Sequence, residues 1–289
     1  MRTSIRGILS ALPALTLAAC QAAGSPQIIS VVSTDGIPIR YETQGTGDPA
    51  LLFVHGWSGD RTYWKHQVNF FAADHRVVTI DLAGHGSSGI ERVNWSIPAF
   101  AEDVRRVAED LDLRRVILVG HAMGGPVIVE AARLMPERVI ALVPVDSLLD
   151  VERRYTSKER EEFLNPLREN FRNRTEEFVR KYMFEPDTDP KLIERIALDM
   201  SSAPPSVGIG AMEALLSFDL PTSLAQVQAP IRCINASRYP TNLEAGQRFH
   251  SSFDVSLMSG VSHFLMLESP ATFNRLLAKA VRDLTPRDL

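Results

Sequence analysis

Short runs of β-branched and other apolar residues alternate, from residue 28 onward, with longer segments whose apolar residues recur at helical spacing. The first two runs, Ile28–Ser33 and Ile37–Glu42, are joined by Asp35-Gly36, which predicts a hairpin turn. The later runs have the length and composition of strands that are buried on both faces of a sheet. This alternation is typical of an α/β fold, in which helices cover a mostly parallel sheet.

The alternation predicts eight strands and five covering helices. The strands after the hairpin are Ala50–Val54, Arg76–Ile80, Arg115–Val119, Val139–Val145, Ile231–Ile234 and Asp254–Leu257. The helices are Thr62–Ala72, Ile97–Leu111, Ala122–Leu134, Leu243–His250 and Ala271–Leu284.

Residues 147–228 interrupt this pattern, and we call this segment the lid. It is helical in pattern, is rich in Arg and Glu, and is divided by Pro186, Pro190 and the pair Pro204-Pro205. A helical insertion between two strands usually covers the carboxyl ends of the strands, where open α/β sheets bind ligands. We therefore expect one domain, with a core formed by residues 28–146 and 229–289.

Composition limits the kinds of partner and of site that this chain can have. A chain of 289 residues with 45% hydrophobic residues can bury a large core. The net charge of −4 and the lack of a Lys/Arg-rich stripe argue against nucleic acid as a partner. The two cysteines, Cys20 and Cys233, are too few for a disulfide scaffold or a cysteine-based zinc site. We expect no metal and no cofactor, and the sequence leaves the oligomeric state open.

The N-terminal segment has the layout of an export signal. Residues 1–19 contain two arginines followed by an uncharged apolar stretch that is too short to span a bilayer as a helix. The four residues at the end of this segment and directly after it, Leu17-Ala18-Ala19-Cys20, resemble the bacterial lipobox. This resemblance implies cleavage before Cys20 and a lipid anchor on that cysteine, which would be the only attachment to a membrane. An ordinary signal peptide with an incidental cysteine is the alternative.

The resemblance also implies a location. The protein would be exported and attached to the bacterial cell envelope, and Gln21, rather than Asp, after the cysteine favours the outer membrane where one is present. Residues 20–27, which include Gly24, Ser25 and Pro26, are predicted to form a short tether.

The strongest chemical signal is the segment Val116–Gly125. Here an apolar strand runs into Gly120-His121-Ala122-Met123-Gly124-Gly125 and then into a helix. This arrangement resembles the nucleophile elbow of the α/β-hydrolase family, whose motif is Gly-x-Ser-x-Gly. The flanking glycines are needed because the central residue is strained and because strand and helix pass close to it. The residue at the nucleophile position is Ala122, so the catalytic hydroxyl is missing.

Three further segments resemble motifs of the same family and follow its order. They are the oxyanion loop Leu52–Trp57, the Asp-x-x-Gly-x-Gly-x-Ser loop Asp81–Ser88, and the catalytic-histidine loop Ser259–Phe264 with Glu268 and Pro270. The last of these departs from the family pattern only at Ser262, where a glycine is usual. The resemblance extends over nearly all of residues 28–285. It implies an α/β-hydrolase fold in which His263 is the catalytic base.

The resemblance also implies which groups bind the substrate. The backbone N–H groups of Trp57 and Met123 would stabilise the developing oxyanion, and they do not depend on the side chain at residue 122. The side chains of Trp57, Met123, Phe264 and Trp64 are candidates to line an apolar pocket. Core packing is the alternative for each of them, and it is equally favoured for Trp64.

The acid of the triad needs a separate choice. Most family members carry it after the seventh strand, but here Tyr239 occupies that position, and a neutral phenol cannot stabilise an imidazolium. Other members carry it at the end of the sixth strand, where this chain has Asp146. We therefore expect Asp146 to orient His263. The alternatives are that Asp146 merely caps the start of the lid, and that Glu244 is the acid.

The resemblance implies hydrolysis of a carboxylic ester or lactone through an acyl-enzyme, with thioesters, amides and C–C bonds as alternative substrates. A serine needs a histidine to remove its proton, so Ala122 closes the covalent route, and we expect this chain to be inactive or nearly so. Either Ala122 replaces a serine deliberately, to keep substrate intact, or the chain is a natural, catalytically silent ligand-binding protein. The intact histidine and oxyanion motifs favour the replacement.

Overall fold

The computed structural model describes residues 28–285. The predicted signal segment, Cys20 and the tether up to residue 27 lie outside these residues, as do residues 286–289. Between residues 28 and 285, no helix combines the length and the apolar character that crossing a bilayer requires.

Eight strands form one sheet. They are β1 (Ile28–Val32), β2 (Pro38–Gln44), β3 (Ala50–Val54), β4 (Val77–Asp81), β5 (Val116–His121), β6 (Val139–Val145), β7 (Arg232–Ala236) and β8 (Asp254–Met258). Their spatial order is β1-β2-β4-β3-β5-β6-β7-β8; β1 pairs with β2 and β2 with β4 in antiparallel register, and all other pairs are parallel. The prediction of an α/β-hydrolase fold with a mostly parallel sheet of eight strands is confirmed.

Eleven helices accompany this sheet within the described residues. They are α1 (Lys65–Phe71), α2 (Ile97–Asp110), α3 (Gly124–Leu134), α4 (Ser157–Glu169), α5 (Phe171–Tyr182), α6 (Pro190–Ser201), α7 (Pro205–Ser217), α8 (Leu220–Leu224), α9 (Leu243–Phe249), α10 (Leu265–Glu268) and α11 (Pro270–Leu284). Helices α4 to α8 lie within the segment that we call the lid. Pro190 and Pro205 each occupy the first position of a helix, where no backbone N–H is needed.

Two helix starts differ from the prediction for local reasons. The first turn of the predicted helix Thr62–Ala72 is a 3-10 turn, Arg61–Trp64, in which the Asp60 side chain accepts a hydrogen bond from the Thr62 N–H at 2.7 Å. Helix α3 begins at Gly124 instead of Ala122, because Ala122 has a φ of +49° and lies outside the helical region.

The centre of the sheet is fully buried. Every residue of β3, β4 and β5 is buried, as expected for parallel strands that are covered by helices on both faces. Strands β5 and β6 run parallel side by side, so the loops that follow them emerge at the same edge of the sheet. This edge carries Ala122 and Asp146.

Candidate active site

Ala122 occupies a tight elbow between β5 and α3. Its backbone N–H donates to the Val145 carbonyl at 3.0 Å, and its own carbonyl accepts from the Gly125 N–H at 2.9 Å and the Ser147 hydroxyl at 2.7 Å. These bonds hold a left-handed conformation that costs an alanine about 1–2 kcal/mol. A Cβ on Gly120 would lie 2.3 Å from the Gly124 carbonyl oxygen, so the close approach of strand and helix requires glycine there.

Asp146 and His263 form a hydrogen-bonded pair beside the elbow. The Asp146 Oδ2 lies 2.6 Å from the His263 Nδ1, and the other carboxylate oxygen accepts from the Ala236 N–H at 2.9 Å. Asp146 is buried and has a φ of +41°. Because both of its oxygens are engaged, the carboxylate fixes the orientation and the tautomer of the histidine ring.

Glu244, the alternative acid, lies away from this pair. It is on α9, its side chain is 87% exposed, and it forms an ion pair with Arg248 at 3.0 Å. Tyr239, at the usual acid position, is half exposed and lies at the mouth of the cavity that is described below. Of the carboxylates considered from sequence, Asp146 is therefore the one that the fold brings to His263.

The backbone of His263 is held from two sides. Its N–H donates to the Met183 carbonyl at 3.2 Å, and its carbonyl accepts from the Nε2 of His121 at 2.9 Å. Burial lowers the pKa of His121 well below its usual value, so the ring is neutral and has one N–H to donate. His121 thus positions the loop that carries His263.

Ser262, the one departure from the family's histidine motif, connects this loop to the lid. Its hydroxyl accepts a hydrogen bond from the Glu185 N–H at 2.7 Å, and its backbone N–H donates to Glu268 at 2.9 Å. The second oxygen of Glu268 accepts from the Phe264 N–H at 3.1 Å. A glycine at position 262 would keep the bond to Glu268 and lose the one to the lid.

The oxyanion loop lies directly against the elbow. A Cβ built on Gly56 would be 3.1 Å from the Ala122 Cβ, so a side chain at residue 56 would crowd the nucleophile position. His55 fixes the loop, because its Nδ1 donates to the Gly56 carbonyl at 2.8 Å and its Nε2 accepts from the Leu82 N–H at 3.1 Å.

Two backbone N–H groups are free to bind an oxyanion. Within residues 28–285, the N–H groups of Trp57 and Met123 donate to no protein acceptor. Met123 directly precedes α3, whose N-terminal end carries partial positive charge. Donors of this kind stabilise the negative charge that develops on a carbonyl oxygen.

A cavity of about 740 Å³ lies over Ala122, Asp146 and His263. Its walls come from the sheet edge and from the lid, and they are mostly apolar; the lid contributes Phe163, Phe178, Met200, Met212, Leu215 and Leu216. The cavity is large enough for a ligand of small-molecule size. Three of the five described non-glycine residues with positive φ, Ala122, Asp146 and Leu148, line it, and backbone strain of this kind often marks a functional site.

Trp57, Met123 and Phe264 line this cavity, but Trp64 does not. The interpretation of Trp64 as a substrate-binding residue is therefore corrected. Its ring is fully buried, with its centroid 5.0 Å from that of Phe53 and 6.3 Å from that of Phe273. It belongs to the core because the 3-10 turn that carries it packs against the sheet.

Sequence reasoning missed one residue, Asn235, that fixes the loop after Asp146. The Asn235 side chain accepts from the Ser147 N–H at 3.2 Å and donates to the Ser147 carbonyl at 3.1 Å. Asn235 lies near the end of β7, shortly before Tyr239 at the usual position of the acid. Its signal in the sequence is an amide side chain, with both a donor and an acceptor, at that strand end.

The remaining polar residues near the site do not form a metal centre. Across the described residues, no group of three His, Cys, Asp or Glu side chains is placed to hold a metal ion.

Burial also lowers the pKa of His55 and brings that of His85 to about 3, so both rings are neutral.

Known proteins share this fold over most of the chain. A model of the alpha/beta hydrolase family matches residues 51–276. An esterase from Thermogutta terrifontis has a TM-score of 0.78 at 23% identity, with 90% of this chain and all of that one covered. An enol-lactonase from Burkholderia xenovorans has a TM-score of 0.76 at 17% identity, with 88% and 100% covered.

Sequence similarity to several curated proteins covers only part of the chain. The acetyltransferase component of the acetoin cleaving system of Cupriavidus necator is 34% identical over 111 residues, which are 38% of this chain and 30% of that protein. The chain spans about a third of the length of such curated relatives. The family model, in contrast, covers well over half of the chain. The sheet order and the elbow at Ala122 agree with this family. The chain therefore belongs to the alpha/beta hydrolase family.

Proposed function

We propose that this site is built to hydrolyse a carboxylic ester or lactone through a serine at position 122, and that the chain with Ala122 binds such a substrate without forming an acyl-enzyme. The observation that carries the proposal is the Asp146–His263 hydrogen bond of 2.6 Å beside the strained elbow. An aspartate–histidine pair of this kind can activate a serine hydroxyl at the elbow as a nucleophile.

With serine at residue 122, the histidine would act as base and then as acid. Its Nε2 would take the hydroxyl proton while the serine oxygen attacks the substrate carbonyl, and Asp146 would stabilise the imidazolium. The oxyanion would accept hydrogen bonds from the N–H groups of Trp57 and Met123. Collapse of the tetrahedral intermediate would pass the proton from His263 to the leaving oxygen and leave an acyl group on the serine.

Water would complete the reaction. His263 would take a proton from a water molecule that attacks the acyl ester, and the serine would regain its proton when it leaves. In a lactone the leaving oxygen stays attached to the acyl group, so a single hydroxy acid is released. With alanine at residue 122 no oxygen is available for the first attack, while the pocket and both oxyanion donors are retained.

The apolar cavity supports an ester or lactone over a highly polar substrate. Its lid walls consist largely of Phe, Met and Leu side chains, and Asp146 and His263 lie beside the elbow. Two of the similar solved structures are described as an esterase and an enol-lactonase. Thioesters and amides are attacked at a carbonyl in the same way and are tested alongside, and hydrolysis of a C–C bond next to a carbonyl remains a further alternative.

The decisive experiment restores the hydroxyl. Ala122→Ser should hydrolyse short p-nitrophenyl esters or simple lactones at least a thousandfold faster than the chain with Ala122. Ala122→Gly serves as the matched control, because it also changes the elbow residue but supplies no nucleophile. A folded Ala122→Ser protein that hydrolyses no ester, lactone, thioester or amide above background would refute the proposal.

A second function is favoured by Ala122 itself. An alanine at the nucleophile position suits a protein that binds a ligand and leaves it intact. The two functions make different predictions for Ala122→Ser, since a binding protein would retain its affinity and gain no turnover. We favour a replaced serine because the oxyanion donors and the Asp146–His263 pair are all in place.

We also propose that the protein is exported and attached to the bacterial envelope through a lipid on Cys20. The charged and apolar layout of residues 1–19 and the four residues that end at Cys20 support this. In a cell fractionation, Cys20→Ser should move the protein from the membrane to the soluble fraction. An unchanged distribution would overturn the lipid anchor.

A further inference from the structure

The lid carries a cation at the cavity wall that no carboxylate neutralises. Arg160 lies on α4, is half-buried and lines the cavity. Its guanidinium donates to the Tyr155 carbonyl at 2.8 Å and to the Ser157 hydroxyl at 3.2 Å. Within residues 28–285 it has no carboxylate within ion-pair distance.

The other arginines on the cavity wall are paired with carboxylates. Arg153 pairs with Glu159 at 2.7 Å, and Arg154 pairs with Asp219 at 2.6 Å. Arg238 pairs with Glu185 at 3.0 Å. Asp150, the acidic neighbour on this wall, accepts hydrogen bonds from the Glu152 N–H at 3.2 Å and from the Asn242 side chain at 3.4 Å. Arg160 is therefore the wall cation whose charge remains available to a ligand.

Apolar side chains connect Arg160 with the oxyanion loop. Phe163 lies one helical turn along α4 from Arg160, so both side chains are on the same face, and both line the cavity. The ring of Phe163 is 5.5 Å from that of Phe178, which is 6.4 Å from the ring of Trp57. A ligand that reaches from the elbow to Arg160 thus passes along aromatic surface and ends at a positive charge.

We propose that the substrate is an ester or lactone whose acyl chain is apolar and ends in a carboxylate, and that Arg160 binds this carboxylate. The inference rests on the function proposed above. A guanidinium suits a carboxylate because two of its N–H groups can donate to the two oxygens in parallel. The backbone carbonyl and hydroxyl that already accept from Arg160 hold it in place without removing its charge.

The test measures binding to the chain with Ala122, in which the ester stays intact. The probes are matched pairs of equal chain length, such as monomethyl suberate and methyl octanoate, with monomethyl adipate and monomethyl sebacate to vary the reach. Calorimetry at low ionic strength should give about tenfold tighter binding of the carboxylate-terminated member, and added salt should reduce the difference.

Two variants locate the effect. Arg160→Gln should abolish the preference for the charged probe. Lys158→Gln should preserve it, since Lys158 is on the same helix, has an 85% exposed side chain and does not line the cavity. Equal affinity for the two probes, absence of binding by the charged probes, or an unchanged preference in Arg160→Gln would each overturn the inference.

Hydrolysis by Ala122→Ser separates this inference from the proposed function. Turnover of methyl octanoate without any preference for the charged probe would support the hydrolase and refute the role of Arg160. A clear preference in binding together with no hydrolysis of either ester would support the role of Arg160 and refute the hydrolase.

Discussion

The carboxylate of Asp146 and the imidazole of His263, which are 117 residues apart in the chain, meet at 2.6 Å beside the elbow. One residue follows the end of β6 and the other lies in the loop after β8, so the parallel sheet brings them to the same edge. The pair connects strand ends on either side of β7.

This relationship predicts the effect of neutralising the acid. In the Ala122→Ser background, Asp146→Asn should lower kcat by about three to four orders of magnitude, because the amide cannot stabilise the imidazolium or select the required tautomer. Glu244→Gln is the control and should leave kcat unchanged, since Glu244 is 87% exposed and distant from the pair. Comparable losses in the two variants would contradict the assignment of the acid.

The effect of removing His263 should depend on the residue at position 122. In the Ala122→Ser background, His263→Ala should reduce kcat about a thousandfold or more, because the serine loses its base. In the chain with Ala122, the same substitution should change any residual hydrolysis little, since there is no hydroxyl to activate. A large loss in the chain with Ala122 would instead show that His263 activates water directly.

Ser262→Ala tests the connection between the loop that carries His263 and the lid. The substitution leaves the partly buried Glu185 N–H without its acceptor, and it should lower the free energy of unfolding by about 1–2 kcal/mol. Urea denaturation measures this change. Ser252→Ala, at an exposed serine, should stay within about 0.5 kcal/mol of the parent protein. Equal stability of the two variants would contradict a structural role for the Ser262 hydroxyl.

The buried histidines predict how stability depends on pH. Burial brings the pKa of His85 to about 3, against about 6.5 in the unfolded chain, so between these values only the unfolded chain takes up the proton. The free energy of unfolding should therefore fall by about 1.4 kcal/mol per pH unit from this residue as pH drops below 6.5. Above pH 6.5 His85 is neutral in both the folded and the unfolded chain, so its protonation no longer lowers the free energy of unfolding.

His85→Asn isolates this effect. Asparagine keeps a donor for the Ala83 carbonyl, which accepts from the His85 Nδ1 at 2.9 Å, and it does not titrate. Urea denaturation at pH 7 and pH 5 should show a fall in the free energy of unfolding that is smaller by about 2 kcal/mol than in the parent. His66→Asn should have less effect, because that ring is only partly buried. An unchanged pH dependence in His85→Asn would contradict the role of this residue.

The fold was predictable because its signals are local. Runs such as Val116–Val119 indicate strands by their composition, and the glycines around Ala122 indicate the elbow by their spacing. The order of the motifs then predicts which loops share an edge. Asp146 could be chosen because a neutral tyrosine occupies the usual position of the acid.

The contacts that hold the site together could not be predicted in the same way. Ser262 with Glu185, and Asn235 with Ser147, join segments that are 77 and 88 residues apart, and such pairs depend on how the lid and strand ends pack. Trp64 shows the same difficulty, because a position next to the oxyanion loop in sequence does not decide whether a side chain faces the cavity or the core.

Two hydrogen bonds connect the lid to the loop that carries His263. They run from the His263 N–H to Met183 and from the Glu185 N–H to Ser262, so we expect the two segments to move together. A displacement of residues 183–185 would pull on the loop that holds the imidazole against Asp146. In chimeric proteins, a lid taken from a relative would therefore need to be transferred together with its own histidine loop.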